Sequence, residues 1–394
     1  MKRNLILLAL CQGLFLTNNI TFIAINGLVG FSMAPFEWLA TLPVMGYVVG
    51  SALSTSPVAR VQKRLGRKSS FLMGIAVAIL SSLLCLFAAT TKNFPLLVLA
   101  TVIAGFYQAN AQLYRFAAAE LASSEYKEKA VSWVLAGGLI GAILGPNIAA
   151  ITKDWLSTPF AGSYVSLTVV GLIAAGLMSM IQFPKVKEEV VSNPKPTRPL
   201  GDILRQPVFI VAAMGAALGY GVMNLLMAST PLAMQTCGYP FQDAAFVLQW
   251  HVIGMFAPGF FTGHLIKRFG APNIMAAGIG LNFLCIGVAL TGTDLHQFLI
   301  ALFVLGLGWN FLFTASTTLS LKAYRPEEKD RVQGILNFCV FFVMAMTSFG
   351  SGALVTTQGW FWLNLGSIIP MAIMTIGLIW FVRQSSTSPT KETP

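Results

Sequence analysis

Two short patterns hold the side chains best suited to binding a metal ion: Met223-Asn-Leu-Leu-Met227 and, one turn of chain later, His251-Val-Ile-Gly-Met255. In each, the end residues stand four apart, so on a helix both side chains share one face. Three thioethers and one imidazole are soft or borderline ligands. Cu(I) is the ion they suit best, and Ag(I) would use the same set. Imidazole binds metal in its neutral form, so binding is expected to weaken as His251 protonates. Each residue also has a plainer reading. The chain has 16 methionines, and an unbranched thioether fills any apolar gap. Histidine is scarcer, with 3 in the chain. His264 and His296 fall near predicted helix ends, whereas His251 sits deep in an apolar stretch, where an ionisable group is costly and commonly functional. The plain alternative for it is a neutral imidazole bonded to a neighbouring helix.

The elements that must carry these residues are membrane helices. Of the 394 residues, 56% are hydrophobic and 10% charged, against about 25% charged in soluble domains; mean hydropathy is +0.73. The apolar runs reach the ~20 residues a bilayer span requires. No series of short alternating strands occurs, so an all-α membrane protein is expected rather than a barrel. Enzyme and nucleic-acid readings find no support, and without a Gly-x-x-x-x-Gly-Lys-Ser/Thr loop no nucleotide coupling is expected. Cys11, Cys85, Cys237, Cys285 and Cys339 form no Cys-x-x-Cys pair, which indicates neither a zinc site nor a disulfide framework. Only Cys237 falls near an outer helix end. The first apolar stretch is too long for a signal-peptide core and is read as a retained span.

Twelve spans are predicted, near 4–30, 36–57, 70–90, 94–118, 130–152, 162–183, 207–235, 243–265, 272–292, 296–320, 332–355 and 360–382. The polar interval 184–206 divides them into an N-terminal six-helix bundle (1–183) and a C-terminal one (207–383), followed by a tail (384–394). Lys and Arg set the orientation. Lys2, Arg3, Arg60, Lys63, Arg64, Arg67, Lys68, Lys127, Lys129, the basic linker, Lys267, Arg268, Lys322, Arg325, Lys329, Arg331 and Arg383 fall on one side. The opposite loops hold only Lys92 and Lys153. Both termini and the linker are therefore expected in the cytoplasm, and the net charge of +11 is a topology signal rather than a nucleic-acid footprint. With ~1.5 Å of rise per residue, Met227 and His251 both fall ~12 Å below the outer surface and Met223 and Met255 ~18 Å. That makes two rungs of a site loaded from outside.

The halves repeat. Lys63-Arg-Leu-Gly66 follows the second span and Lys267-Arg-Phe-Gly270 the eighth; Glu125-Tyr-Lys-Glu-Lys129 precedes the fifth and Glu327-Glu-Lys-Asp-Arg331 the eleventh. Such repeats are common in secondary transporters, whose sites lie between them. The N-terminal counterparts of the four candidate ligands are Asn19, Ile23, Tyr47 and Ser51. None is a soft ligand apart from, weakly, the tyrosine. A purely architectural role would be shared by both halves, so the asymmetry favours function.

With its twelve spans, its central linker and Arg64-Leu-Gly66-Arg67-Lys68 after the second span, the chain resembles the major facilitator superfamily over its whole length. The stretch is similar to that family's Asp-Arg-x-Gly-Arg-Arg/Lys loop. Lys63 stands at the acidic position, so the cytoplasmic latch that the family builds there must use other contacts. Met223, Met227, His251 and Met255 also resemble the Met-x-x-x-Met and His-x-x-x-Met pairs of the CcoA-type copper importers. That resemblance implies copper, as transported substrate and not cofactor, moving across the bacterial inner membrane to supply haem–copper oxidase assembly. A monomer is expected, with a copper chaperone or an oxidase assembly factor as partner.

Gly141-Ala-Ile-Leu-Gly145-Pro146 competes with this reading, being similar to the Gly-x-x-x-Gly-Pro element of drug/proton antiporters; close helix packing through small residues is its other explanation. Proton antiport also calls for a carboxylate within the membrane, whereas Glu37, Asp154, Asp243 and Asp294 fall at outer ends and Glu120 at the inner end, where Arg115 is its expected partner. Gln12, Asn18, Asn19, Asn26, Gln108, Asn110 and Gln112 either line the route or bond between helices. The expected function is import of copper by alternating access. Efflux of a drug or organic cation is the alternative, and a copper-binding receptor without flux a third possibility.

Overall fold

The computed structural model describes residues 2–123, 126–183 and 198–387. Most of the linker, including Lys185, Lys187, Glu188, Glu189 and Lys195, lies outside the described residues, as do Glu125 and the tail from 388 onward. No β-strand occurs among the described residues. The first span is Lys2–Met33, and the second and third form one helix, Leu42–Thr90. The fourth is Phe94–Ala111 with Tyr114–Leu121, the fifth Lys127–Ala136 with Gly138–Thr152, and the sixth Ala161–Ser179. In the second half, Pro207–Thr236 is the seventh and Phe241–Phe256 with Gly259–Phe269 the eighth. Ala271–Leu290, Leu295–Ser320, Lys329–Thr357 and Gly359–Gly366 with Ile368–Thr387 complete the set.

Nine helices among the described residues are long and apolar enough to cross a bilayer, ten when the bent eighth pair is joined. One of them, Glu37–Thr90, has 54 residues, or ~80 Å of helix, far more than the ~30 Å of a hydrocarbon core. It is two spans. Joining the two pieces of the fifth span restores the twelve. The loop expected between 57 and 70 is instead helical up to Gly66, whose φ of 81° and ψ of 171° break the rod. Gly270 follows the eighth span with nearly the same φ, 84°. A side chain at either would be strained, which accounts for a glycine at this place in both repeats.

Glycine also sets the packing inside each half. Gly137, Gly141 and Gly145 recur every fourth residue along the fifth span, and each lies against the first: a Cβ at Gly137 would sit 2.2 Å from the Ala9 carbonyl oxygen, and one at Gly141 2.5 Å from Leu16 Cβ. The Gly-x-x-x-Gly-Pro stretch is thus a close helix contact. Two of the spans' polar residues bond between helices. Tyr164 Oη donates to Asn26 Oδ1 at 2.8 Å, and Ser70 Oγ to Asn110 Oδ1 at 2.7 Å. Glu120 does not pair with Arg115; it takes two hydrogen bonds from Arg67, at 2.6 and 3.1 Å. The third span's start brings the guanidinium to the end of the fourth, while Arg115 turns over the ring of Phe116. This pair joins the loop after the second span to its own half, as the missing acidic residue at Lys63 cannot.

On the same inner side, Arg198 grips Glu328 with Nε at 2.9 Å and Nη2 at 2.6 Å, and its backbone N–H donates to the same carboxylate at 3.0 Å. The end of the linker is thereby fixed to the turn before the eleventh span. Several contacts join the two halves toward the outer side. Asn147 Nδ2 donates to Gln249 Oε1 at 2.7 Å, Gly352 N–H to Thr41 Oγ1 at 2.9 Å, and the rings of Phe160 and Phe241 meet edge to face at 4.9 Å. The outer ends are closed on one another.

Candidate site where the seventh and eighth spans meet the tenth

The tenth span is the surface on which the other two are registered. Gly215, Gly219, Met223 and Met227 follow one another every four residues along the seventh span, so they form one slowly turning stripe. A Cβ at Gly215 would lie 2.2 Å from Ser316 Oγ, and one at Gly219 2.8 Å from Leu312 Cδ2. The bare glycines let the seventh span lie directly on the tenth. These helices run antiparallel, and the same register continued outward would pass Met223 near Gly308 and Met227 near Val304. Asn224 fixes the rotation, donating to the Met344 carbonyl at 3.2 Å, Thr347 Oγ1 at 3.1 Å and Ser348 Oγ at 2.8 Å on the eleventh span.

The eighth span runs parallel to the tenth. A Cβ at Gly306 would lie 2.4 Å from the carbonyl oxygen of His251 and 2.9 Å from the nitrogen of Met255. Asn310 Nδ2 donates to the Met255 carbonyl at 2.7 Å. His251 is therefore level with residue 304 and Met255 with residue 308. Carried along one common helix, this register would put Met227 and His251 at an outer level and Met223 and Met255 at an inner one. All four are buried, His251 completely and the methionines to within 2%, 5% and 6% exposure for Met223, Met227 and Met255.

His251 is held in a way that decides its chemistry. Its Nδ1 stands 2.6 Å from the carbonyl oxygen of Leu302. A carbonyl oxygen only accepts, so Nδ1 carries the proton and Nε2 the lone pair. Nε2 is buried and has no hydrogen-bond partner. An unsatisfied acceptor away from water is unfavourable by about 1–3 kcal/mol, and an imidazole with its other nitrogen tied to a carbonyl is the usual form of a metal ligand. The plain alternative, an imidazole merely bonding to a neighbour, accounts for Nδ1 and leaves Nε2 unexplained.

Residues that sequence reasoning passed over support this arrangement. Asn310 accepts from Thr262 Oγ1 at 2.6 Å as well as bonding Met255. It therefore bridges the break at Ala257–Pro258, where the eighth span bends by 41°. An amide inside an apolar span was the available signal. Trp309 is the other. Its ring meets Tyr220 edge-on at 5.3 Å, stacks on Phe313 at 5.3 Å and lies 6.2 Å from Phe256, and its indole Nε1 is buried without a partner. A cluster of aromatic rings thus lies along the tenth span beside Gly308. No cluster of three or more His, Cys, Asp or Glu occurs among the described residues.

Two helical bundles packed around buried polar groups are the architecture of many secondary transporters. Residues 5–285 and 244–394 match the model of the Major Facilitator Superfamily, and the chain belongs to that superfamily. It is a secondary transporter and not an enzyme. The riboflavin transporter RfnT of Brucella anthropi is 36% identical over 379 residues, covering 96% of this chain and 95% of that one. The uncharacterized MFS-type transporter YddS of Bacillus subtilis is 24% identical over 381 residues, 92% of this chain and 87% of its own. A bacterial homolog of the human lysosomal transporter Spinster, solved inward-facing and unoccupied, shares the fold with a TM-score of 0.71 at 14% identity, covering 96% and 97% of the two chains.

Proposed function

We propose that this protein imports copper, as Cu(I), across a bacterial inner membrane into the cytoplasm. Met227 and His251 form the outer pair of ligands, and Met223 and Met255 the inner pair. The observation that carries this reading is the buried, unpartnered Nε2 of His251, with its tautomer held by Leu302, at the level of Met227. Copper is the substrate, released inward when the outer ends close as they do here.

A second reading is transport of riboflavin. It is supported by the 36% identity with a riboflavin transporter and by the Tyr220, Trp309 and Phe313 rings, on which a flat heteroaromatic would stack. One experiment separates the two. Uptake of copper with reductant and of riboflavin is measured in the same proteoliposomes, for wild type, His251→Ala and Met227→Leu. The copper reading expects copper flux that falls at least about tenfold in both variants, as loss of a metal ligand would cause. Riboflavin flux with unchanged copper content in the variants would replace it. Copper bound by purified protein without vesicle uptake would point to a receptor.

A further inference from the structure

At the outer end, where the two halves meet, lies a cavity of about 530 Å³, within the ~300–1,000 Å³ of small-molecule sites. Its walls come from both halves: the ends of the first, third and fifth spans and the turn before the sixth on one side, the seventh and eighth spans on the other. Lys92 and Lys153 line it, and no carboxylate does. These are the only cations of the outer loops, in a chain whose other Lys and Arg crowd the inner side. Neither forms an ion pair with a described residue. The rest of the lining is apolar and aromatic, with Phe160 and Phe241 meeting across the two halves. Lys153 Nζ lies 5.6 Å over the Phe160 ring.

The backbone marks the same place. Among the described residues, Lys92 (φ 52°) and Phe160 (φ 64°) are the non-glycine residues with positive φ, and both line this cavity. Each such conformation is unfavourable by ~1–3 kcal/mol and persists where its surroundings hold it. Here the Phe160 N–H closes a loop on the Lys153 carbonyl at 2.7 Å. Two strained positions therefore present one ammonium and one ring to a common space.

We propose that this chamber binds an organic anion with an apolar body. Its acid group is taken by Lys92 and Lys153, its body by Phe160 and Phe241, and its occupancy holds the outer side closed. The two walls belong to different halves, so the site is complete only while those halves meet. A ligand that prefers the closed arrangement shifts the population toward it. An external anion of this kind therefore slows uptake of whatever substrate the central site carries, copper or riboflavin.

The test uses purified transporter in zwitterionic nanodiscs, titrated with dansylglycine, a fluorescent carboxylate with an aromatic body. Saturable binding is expected. It weakens at least about tenfold in the Lys92→Gln, Lys153→Gln double variant, as loss of a charged hydrogen bond predicts, and survives in the Lys→Arg pair. Spin labels at the outer ends of the first and seventh spans should report a larger closed fraction with dansylglycine bound. Adding phosphatidylglycerol to the discs identifies the natural source. Competition means that a lipid headgroup occupies the chamber, and its absence means a soluble acid does. Should the double variant fail to fold, Lys92→Gln alone, in an exposed turn, carries the test. No saturable binding in either kind of disc, unchanged affinity in the Gln variants, or an unchanged closed fraction would each overturn the proposal.

Discussion

At the scale of single residues, the helical spacing of thioethers and an imidazole singled out four candidate ligands, and the structure buries all four. What made His251 informative was not legible. The Leu302 carbonyl that fixes its tautomer is backbone, and backbone acceptors leave no trace in a sequence. Glu328 illustrates the same limit on the inner side. In the sequence the Glu327–Arg331 run served only as one copy of the repeat, whereas the structure brings Arg198 onto Glu328 from the end of the linker. Hydrogen bonds from the Arg198 side chain, aided by the Arg325 backbone, hold the Glu328 carboxyl far below its ordinary value of 4.5. A depressed carboxylate adds stability that is fully present above its unfolded value and is lost as pH falls through the folded one. Glu328→Gln is therefore expected to lower the melting temperature by an amount constant from pH 8 down to about 5, with the gap to wild type closing in stronger acid. Thermal melts of both proteins across that range check it.

At the scale of elements, periodicity and length placed the spans well and their ends less well. The helical loop up to Gly66 was missed because Arg60, Gln62, Lys63 and Arg64 are polar, as in a loop, yet helix-forming by propensity. The breaks at Gly137 and at Ala257–Pro258 were missed because each piece alone is apolar. The contact that matters most for the site is Gly306, where the tenth span receives the backbone of His251 and Met255 at 2.4 and 2.9 Å from a would-be Cβ. Backbone cannot step aside as the tip of a side chain can. Gly306→Ala should therefore lower stability by about 1–3 kcal/mol. It should also reduce copper affinity by displacing the eighth span, although no ligand has changed. Chemical denaturation and copper titration of the same sample measure both. Unaltered affinity would mean that the tenth span does not position His251.

At the scale of the whole molecule, the repeat announced two halves, and the family match and fold bear that architecture out. How the halves meet was not legible, since nothing in the sequence links Asn147 to Gln249, more than a hundred positions apart. That bond crosses between halves only when the outer side is closed. Such an interhelical bond within a membrane contributes about 0.6 kcal/mol, so Asn147→Ala should raise the outward-open fraction about threefold. Distances between spin labels at the outer ends, with and without copper, measure the change. No shift would assign closure to the packing around Thr41 and Gly352 instead.

The make-up of the proposed coordination sphere has an electrical corollary. Thioethers and a neutral imidazole carry no charge, and between Phe246 and Thr262 of the eighth span, as along the seventh span, there is no carboxylate to balance a guest. Each Cu(I) would thus cross as a net unit charge, and an inside-negative potential would draw it inward with about 2.3 kcal/mol per 100 mV. Accumulation in potassium-loaded vesicles should rise when valinomycin sets the interior negative, and fall when the gradient is reversed.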